Sequence, residues 1–381
     1  MEFKFSDREE LLRKTVRDYA EKEIPPYMEA MEETGEFPVE LLKGMGQMGI
    51  LGVITAPEYG GAGMGALARI VVLEELGRVC PAIPMAIQVH HMCTYALSTW
   101  GNEEQKKKYL PPLCKGETMG VVAVTEPSGG SDVGGMQTTA KLDGDKYILN
   151  GRKCFITNSH HADTWVVIAR TGEGGKGLSA FIVENDFPGA KAGRKENKVG
   201  LRGANTGELA FNNCEVPKEN LLGNEGDGMT TAIQDIVQCG RPGMAAVALG
   251  ILNGVLEQAV KFAGERTLYG KSISKLQAIQ WHIADIYADL EISRLLTYRV
   301  GWMIDQKINC AAESALAKQF ACEAAARSAR KAIEIHGSYG IMHEYAVQRL
   351  LRDAVVTIPA GGTAEIAKLV MFRQALSMFG L

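Results

Sequence analysis

Along the first third of the chain, apolar positions recur every three to four residues. Leu11, Leu12, Val16 and Tyr19 share one helical face, and Ser6 with Glu9 forms a capping-box signature in front of them. Pro25-Pro26 ends that helix. Leu41, Leu42, Met45 and Met48 begin another after Phe37-Pro38. Further helical periods cover 65–78, 83–98 and 102–112, with the glycine-rich stretch 58–63 as a loop between them.

From about 120 the period changes. Residues 120–125 form an apolar β-rich run, and 137–142 and 146–150 flank Asp143-Gly144, a strong hairpin dipeptide. Short runs at 165–169, 178–183 and 207–211 read as further strands of an antiparallel domain, a small barrel or two stacked sheets. From 226 long helical periods return over 227–264, 275–306, 310–338 and 343–354, the pattern of a four-helix bundle. The chain therefore predicts an α+β multidomain protein with three parts. These are an N-terminal helical domain (1–119), a middle antiparallel β domain (120–225) and a C-terminal bundle (226–381).

Composition narrows the function classes. The 381 residues are 46% hydrophobic and 23% charged with net charge −4, which argues against a nucleic-acid backbone binder. No run of about 18 apolar residues is evident, so no membrane span is expected, and the N-terminus lacks a signal or transit pattern. Eight cysteines are scattered without a C-x-x-C pair. That predicts no metal site and reduced thiols in a cytoplasmic protein.

Three stretches carry candidate chemistry. Residues 124–132, Val-Thr-Glu-Pro-Ser-Gly-Gly-Ser-Asp, end a strand in a turn rich in donors suited to the edge of a planar heterocycle. Residues 150–158 end in Phe155-Ile156-Thr157-Asn158. In 348–370, the breaker Pro359-Ala360-Gly361-Gly362 precedes a helix opening at Thr363, whose free N–H groups suit an anionic ligand.

Together with Glu265-Arg266-Thr267-Leu268-Tyr269-Gly270, Gln277 and the segment 334–340, these motifs resemble the acyl-CoA dehydrogenase family in order over essentially the whole chain. The resemblance implies FAD, a CoA-thioester substrate, an electron-transferring flavoprotein as redox partner, and a homotetramer or dimer. It places Val124, Thr125, Phe155 and Thr157 against the flavin, and Ser131 between the flavin edge and the CoA side. Arg266, Tyr269 and Gln277 would reach a partner subunit's FAD. Glu334 and Ser338 would lie near its nucleotide end, where the family usually has glutamine and glycine, and Thr363 and Glu365 near the ribose and adenine. Gln88, Arg241 and Gly362 fall on substrate-binding positions.

One departure from the family pattern bears on mechanism. The family's proton-abstracting glutamate falls at Gly361 or, in some members, at the residue before Arg241, here Gly240. Both are glycine. Three readings stand. In the first a relocated acid/base serves a cyclic or bulky acyl group, as in cyclohexene- and cyclohexane-carboxyl-CoA dehydrogenases. His91 is the first candidate for that base, with His90 and Cys93 behind it. In the second the fold runs enoyl-CoA reduction or a non-redox elimination. In the third it is a flavoprotein that binds CoA esters without turnover. Ile83, near where members handling acidic acyl groups carry arginine, argues against a dicarboxylate.

Overall fold

The computed structural model describes residues 4–174 and 177–380. Six helices open the chain: α1 (Asp7–Glu23), α2 (Met28–Thr34), α3 (Glu40–Gln47), α4 (Ala66–Val79), α5 (Ala82–Trp100) and α6 (Glu103–Lys115). The Ser6/Glu9 box forms as read: Glu9 N–H donates to Ser6 Oγ at 3.3 Å and Ser6 N–H to Glu9 Oε2 at 2.7 Å. α4 is nearly all buried, so its exposed N–H groups need a partner from elsewhere. Asp305 supplies it, accepting from Ala66 N–H at 2.6 Å and Leu67 N–H at 3.1 Å. Residue 65 must be glycine for this: its φ is +92°, and a Cβ there would sit 2.6 Å from Asp305 Oδ1.

The middle segment forms one eight-stranded sheet from β1 (Gly120–Ala123), β2 (Thr139–Asp143), β3 (Lys146–Thr157), β4 (Thr164–Arg170), β5 (Leu178–Glu184), β6 (Ala190–Lys195), β7 (Thr206–Pro217) and β8 (Leu221–Leu222). The path runs β6-β7-β3-β2-β4-β5-β8, with β1 on β4. Asp143-Gly144 turns the β2–β3 hairpin as expected. Pairing is antiparallel except for four parallel β1–β4 rungs and one between Thr139 and Arg170, so the sheet is mixed where alternation predicted antiparallel order throughout. The apolar run of β1 pairs edge to edge with β4 and packs against α5. β4 buries both faces, Trp165 and Val167 on one side and Val166 and Ile168 on the α5/α6 side.

The last segment contains α7 (Gly228–Asp235), a π-turn (Ile236–Gly240), α8 (Arg241–Glu265), a β9–β10 ribbon (Thr267–Leu268, Lys271–Ser272), α9 (Gln277–Asp305), α10 (Ala311–His336), α11 (Ala346–Thr357) and α12 (Ala364–Ser377). The π-turn stands one residue before Pro242, which has no N–H to continue the α pattern. Arg241 N–H reaches back to Ile236 O instead. Alanines of α10, among them Ala317, Ala321, Ala324 and Ala325, let it pack closely on α8. α4 lies on the same α8. At their crossing a Cβ on Gly250 would fall 2.5 Å from Gly77 Cα, so the two backbones touch. Gly228–Glu265 is long and apolar enough to cross a membrane by composition, but 72% of its apolar window is buried, as befits a central bundle helix.

Candidate active site

The site begins with a buried ion pair. Glu126, just past Val124-Thr125, accepts from Lys153 Nζ at 2.7 Å and from the N–H groups of Gln137 (2.6 Å) and Thr138 (3.0 Å). Lys153 Nζ also donates to Val124 O at 3.0 Å, and Cys154 N–H donates to Thr125 O at 2.9 Å. These bonds fasten the end of β1 to β3. Burial of two charges is tolerable only because each finds its partner and further hydrogen bonds. Directly beyond, the β3–β7 register slips between Lys153 and Ile156. Phe155 occupies the slip with φ +56° and its ring 64% exposed, while Thr157 is buried. An exposed aromatic held in the left-handed region is a costly arrangement that signals a functional constraint. Val124, Thr125, Phe155 and Thr157 are thus brought together, with Ser131 in the exposed loop that follows.

The opposing wall comes from the bundle. Lys318 of α10 is buried, and its ammonium donates to Ile358 O at 2.5 Å and Gly362 O at 2.7 Å. It closes the turn between α11 and α12 from both ends, and Thr363 Oγ1 caps α12 by accepting from Ile366 N–H at 3.3 Å. Gly361 adopts φ +68°, and a Cβ there would lie 2.9 Å from Met244 Cγ and 3.8 Å from Gly240 O. A Cβ on Gly240 would lie 3.3 Å from Met92 Cε. The two glycines are therefore neighbours in one region of the fold, flanked by the Met92 and Met244 side chains. No Cβ contact within 4 Å restricts Gly362. Gln88 is buried behind this wall, donating from Nε2 to Met244 Sδ at 3.6 Å, and Arg241 is buried at the start of α8.

The histidines do not face that region as bases, which corrects the sequence reading. His91 is fully buried; its Nε2 lies 2.9 Å from Ile50 O, so that nitrogen carries the proton, and Nδ1 accepts from Arg69 Nε at 3.3 Å. No lone pair remains. Burial, then the charge of Arg69, holds its pKa well below the usual range. His90 Nδ1 accepts from Gly120 N–H at 3.2 Å, which leaves the proton on Nε2, and burial pushes its pKa down to about 4. Cys93 is also fully buried, and burial raises its thiol far above the ordinary value.

Most of the remaining cofactor candidates gather at the other end of the bundle, while Glu365 stays beside the turn held by Lys318. Arg266, Tyr269 and Gln277 are exposed on the β9–β10 ribbon and the start of α9, and Tyr269 is 90% exposed at φ +53°. The Arg266 guanidinium stands 5.4 Å over the Tyr339 ring. Exposed Glu334 bonds to Arg330, and Ser338 follows in the turn after α10. Glu365 is exposed in the first turn of α12. These groups are not joined to Phe155 or Thr157 by any contact within one chain among the described residues. No group of three or more potential metal ligands occurs among those residues either.

Four buried charged side chains escaped the motif reading: Arg69, Lys153, Asp235 and Lys318, each almost fully enclosed within a helix or strand. Arg69 within Ala68-Arg69-Ile70-Val71 was the most legible signal, since charges are seldom placed in such runs without a partner.

Three family descriptions match the chain: acyl-CoA dehydrogenase N-terminal domain over residues 6–117, middle domain over 121–214 and C-terminal domain over 226–376. An acyl-CoA dehydrogenase of Bacillus subtilis is 45% identical over 96% of this chain and 97% of its own. The acryloyl-CoA reductase (NADH) of Anaerotignum propionicum is 39% identical over 99% and 96%. A chain solved in a study of the electron transferring flavoprotein of Acidaminococcus fermentans superposes with TM-score 0.97 at 39% identity, covering 99% of this chain and 100% of that one.

Proposed function

Since the chain belongs to the acyl-CoA dehydrogenase family, an FAD-dependent family of enzymes, we propose that it oxidises or reduces the acyl group of a CoA thioester with an acid/base relocated from the family's usual positions. The observation that carries this is the pair of glycines, Gly361 and Gly240, which adjoin each other with no carboxylate on either. An acyl group there would meet the apolar side chains of Ala360, Met92 and Met244 rather than a glutamate, a lining suited to a cyclic or otherwise bulky apolar substituent.

The residues fit the cofactor. Phe155 offers an exposed ring on a strained backbone, and Lys153 and Glu126 fix Val124 and Thr125 beside it. When bound, FAD accepts or returns a hydride at the acyl β-carbon. Phe155 would stack on the ring system, Thr157 and Thr125 would hydrogen-bond along its edge, and Ser131 would reach toward the CoA. Arg241 would meet the CoA side of the ester, and the free N–H groups around Gly362 would polarise the thioester carbonyl. Arg266, Tyr269 and Gln277, exposed and far from Phe155, suit the pyrophosphate end of a cofactor held by a second copy. Glu334, Ser338, Thr363 and Glu365 would serve the nucleotide end. Exposed Trp281, Tyr287 and Leu295 on α9, with Leu369 and Phe372 on α12, are apolar surface suited to a homotetramer or dimer. Electron-transferring flavoprotein is the proposed redox partner.

The similarity to an acryloyl-CoA reductase favours a second reading, reduction of an enoyl-CoA. Anaerobic mixing with straight-chain and alicyclic CoA esters, followed by flavin absorbance, separates the two. Bleaching by alicyclic esters alone supports the dehydrogenase with a bulky substrate. Reoxidation of the reduced protein by enoyl-CoAs, without bleaching by any saturated ester, selects the reductase. Bleaching by straight-chain esters at rates equal to the alicyclic ones would sink the bulky-substrate reading.

A further inference from the structure

A cleft of about 600 Å³ opens at the seam of the three parts of the chain, between α2, the loop joining β6 to β7, and α11. Glu32 and Glu33 of α2 line it, with Lys198 and Arg202 of the loop, Arg352 of α11, and His343 just before that helix. A second hollow adjoins it and shares Lys198 and Arg202. The cleft has the size of a small-molecule site. None of its residues holds the flavin or the ester in the reading above.

The loop that carries the two cations is firmly held. Leu201, at φ +50°, donates its N–H to Asp353 Oδ1 at 2.5 Å, and a Cβ on Gly200 would fall 2.3 Å from Arg352 O. Arg202 directs its donors to neutral acceptors. Nε bonds to Glu32 O at 2.5 Å, one terminal nitrogen to Asn197 Oδ1 at 2.7 Å and Lys198 O at 3.4 Å, and the other to Glu33 O at 3.2 Å. One of its N–H groups is left over. Lys198 Nζ donates to Ala204 O at 2.5 Å and keeps two. The other cations here have acids: Arg352 pairs with Glu32 at 2.8 Å, and Lys195 with Glu36. Among the described residues Lys198 and Arg202 pair with no carboxylate, and the Glu33 carboxylate pairs with no cation. Burial, then the charges of Lys195 and Arg202, bring Lys198 down to about 8, and Asp353 only partly opposes them. Positive charge stands on this wall without its counterpart.

We propose that this cleft is a second ligand site, which binds a small hydroxylated phosphate monoester with its phosphoryl group on Lys198 and Arg202 and a hydroxyl donating to Glu33. Two cations with donors left over call for a doubly charged anion, and bonds between charged partners are the strong ones. A bare phosphate would fill only a small part of the cleft, which leaves room for the body of an ester. Glu33 sets the rest of the chemistry. Its carboxylate accepts from a hydroxyl and repels a second phosphate, so a monoester such as a sugar phosphate fits better than a polyphosphate. The ligand would touch all three parts of the chain and stabilise them together. Binding here is independent of the CoA-thioester reading.

Isothermal titration calorimetry of ribose 5-phosphate into the flavin-containing protein tests this, with inorganic phosphate and ribose as separate arms and chloride holding the ionic strength constant. Wild type is expected to bind the ester, with inorganic phosphate at least about tenfold weaker and ribose weaker still. Lys198→Met should weaken the ester at least about tenfold, whereas Lys198→Arg, which keeps the charge, should stay within about threefold. Val199 lines the cleft with its side chain exposed, so Val199→Glu adds a negative charge without removing a bond of the fold. It too should cost at least about tenfold, and it carries the comparison if Lys198→Met does not fold. Wild-type affinity should also fall as Lys198 loses its proton between about pH 7 and about pH 9.5, while Lys198→Arg shows no such fall. The ester stays doubly charged there, its second pKa being about 6. Equal affinity in wild type, Lys198→Met and Val199→Glu would place the ester elsewhere and overturn the site. Absence of binding by wild type overturns it as well. Inorganic phosphate binding as tightly as ribose 5-phosphate would overturn the role of Glu33 and the choice of an ester.

Discussion

The Lys318 ammonium lies 2.7 Å from the carbonyl oxygen of Gly362, and with Ile358 it spans the turn that presents Gly361. A cation from α10 thereby fixes the backbone of the turn between α11 and α12. Removing it leaves two carbonyls without their cationic donor. Lys318→Met is expected to destabilise the fold by about 2 kcal/mol, since bonds to charged groups contribute roughly 1.5–3 kcal/mol. Weaker ester binding should accompany the loss. Thermal melting and flavin spectral titration with a CoA ester check both; an unchanged midpoint and affinity would show the clamp to be dispensable.

Gly361→Glu places a carboxyl where the proposed function expects a proton carrier, but at a positive φ and against Met244 Cγ at 2.9 Å. Left-handed backbone costs a residue with a Cβ about 1–2 kcal/mol, so the variant should melt earlier. It should nevertheless bleach faster with butyryl-CoA than wild type does. Adding Met244→Ala should raise the rate further by clearing the contact. Stopped-flow absorbance reads the rate directly.

Lys153→Met leaves Glu126 buried without its cation, a situation that typically costs about 3–5 kcal/mol. The loop carrying Val124 and Thr125 loses one of its fastenings as well. We expect a large fall in denaturation midpoint and loss of copurifying flavin. Lys153→Met/Glu126→Gln should be less damaged than Lys153→Met alone. A double-mutant cycle without coupling would contradict this account.

His90 is neutral in the folded chain until about pH 4, whereas an unfolded histidine protonates near 6.5. Between those values the unfolded state holds more protons, so stability falls as pH drops from about 6.5 toward 4 and is level above that window. His90 alone contributes roughly 3 kcal/mol across it, and His91 shifts in the same direction. His90→Gln is expected to flatten the acid limb of a denaturation-midpoint profile. An identical slope in wild type and variant would rule out the assignment.

Architecture was legible where one pattern decided it. The Ser6 cap, the Asp143-Gly144 hairpin and the long bundle helices follow from local chemistry that tertiary contacts did not overrule. The π-turn hides inside a continuous helical period, because Pro242 disrupts the ladder without disturbing the apolar face. The parallel β1–β4 rungs depend on which neighbour a two-faced apolar strand finds, and alternation does not encode that. Among the site candidates, the motifs pointed to Phe155, which the structure holds exposed at a positive φ. The doubled histidine misled, since a sequence does not reveal that Ile50 O and Arg69 use up both nitrogens of one ring. Asp235 passed unnoticed for the converse reason, its missing partners being visible only in three dimensions.

At the crossing of Gly77 and Gly250, the first and last parts of the sequence share bare backbone contact. Chain order thus separates what the fold unites, and the two helical parts should melt as one cooperative body. Polypeptide cut on either side of the β domain should therefore yield helical fragments that stay associated.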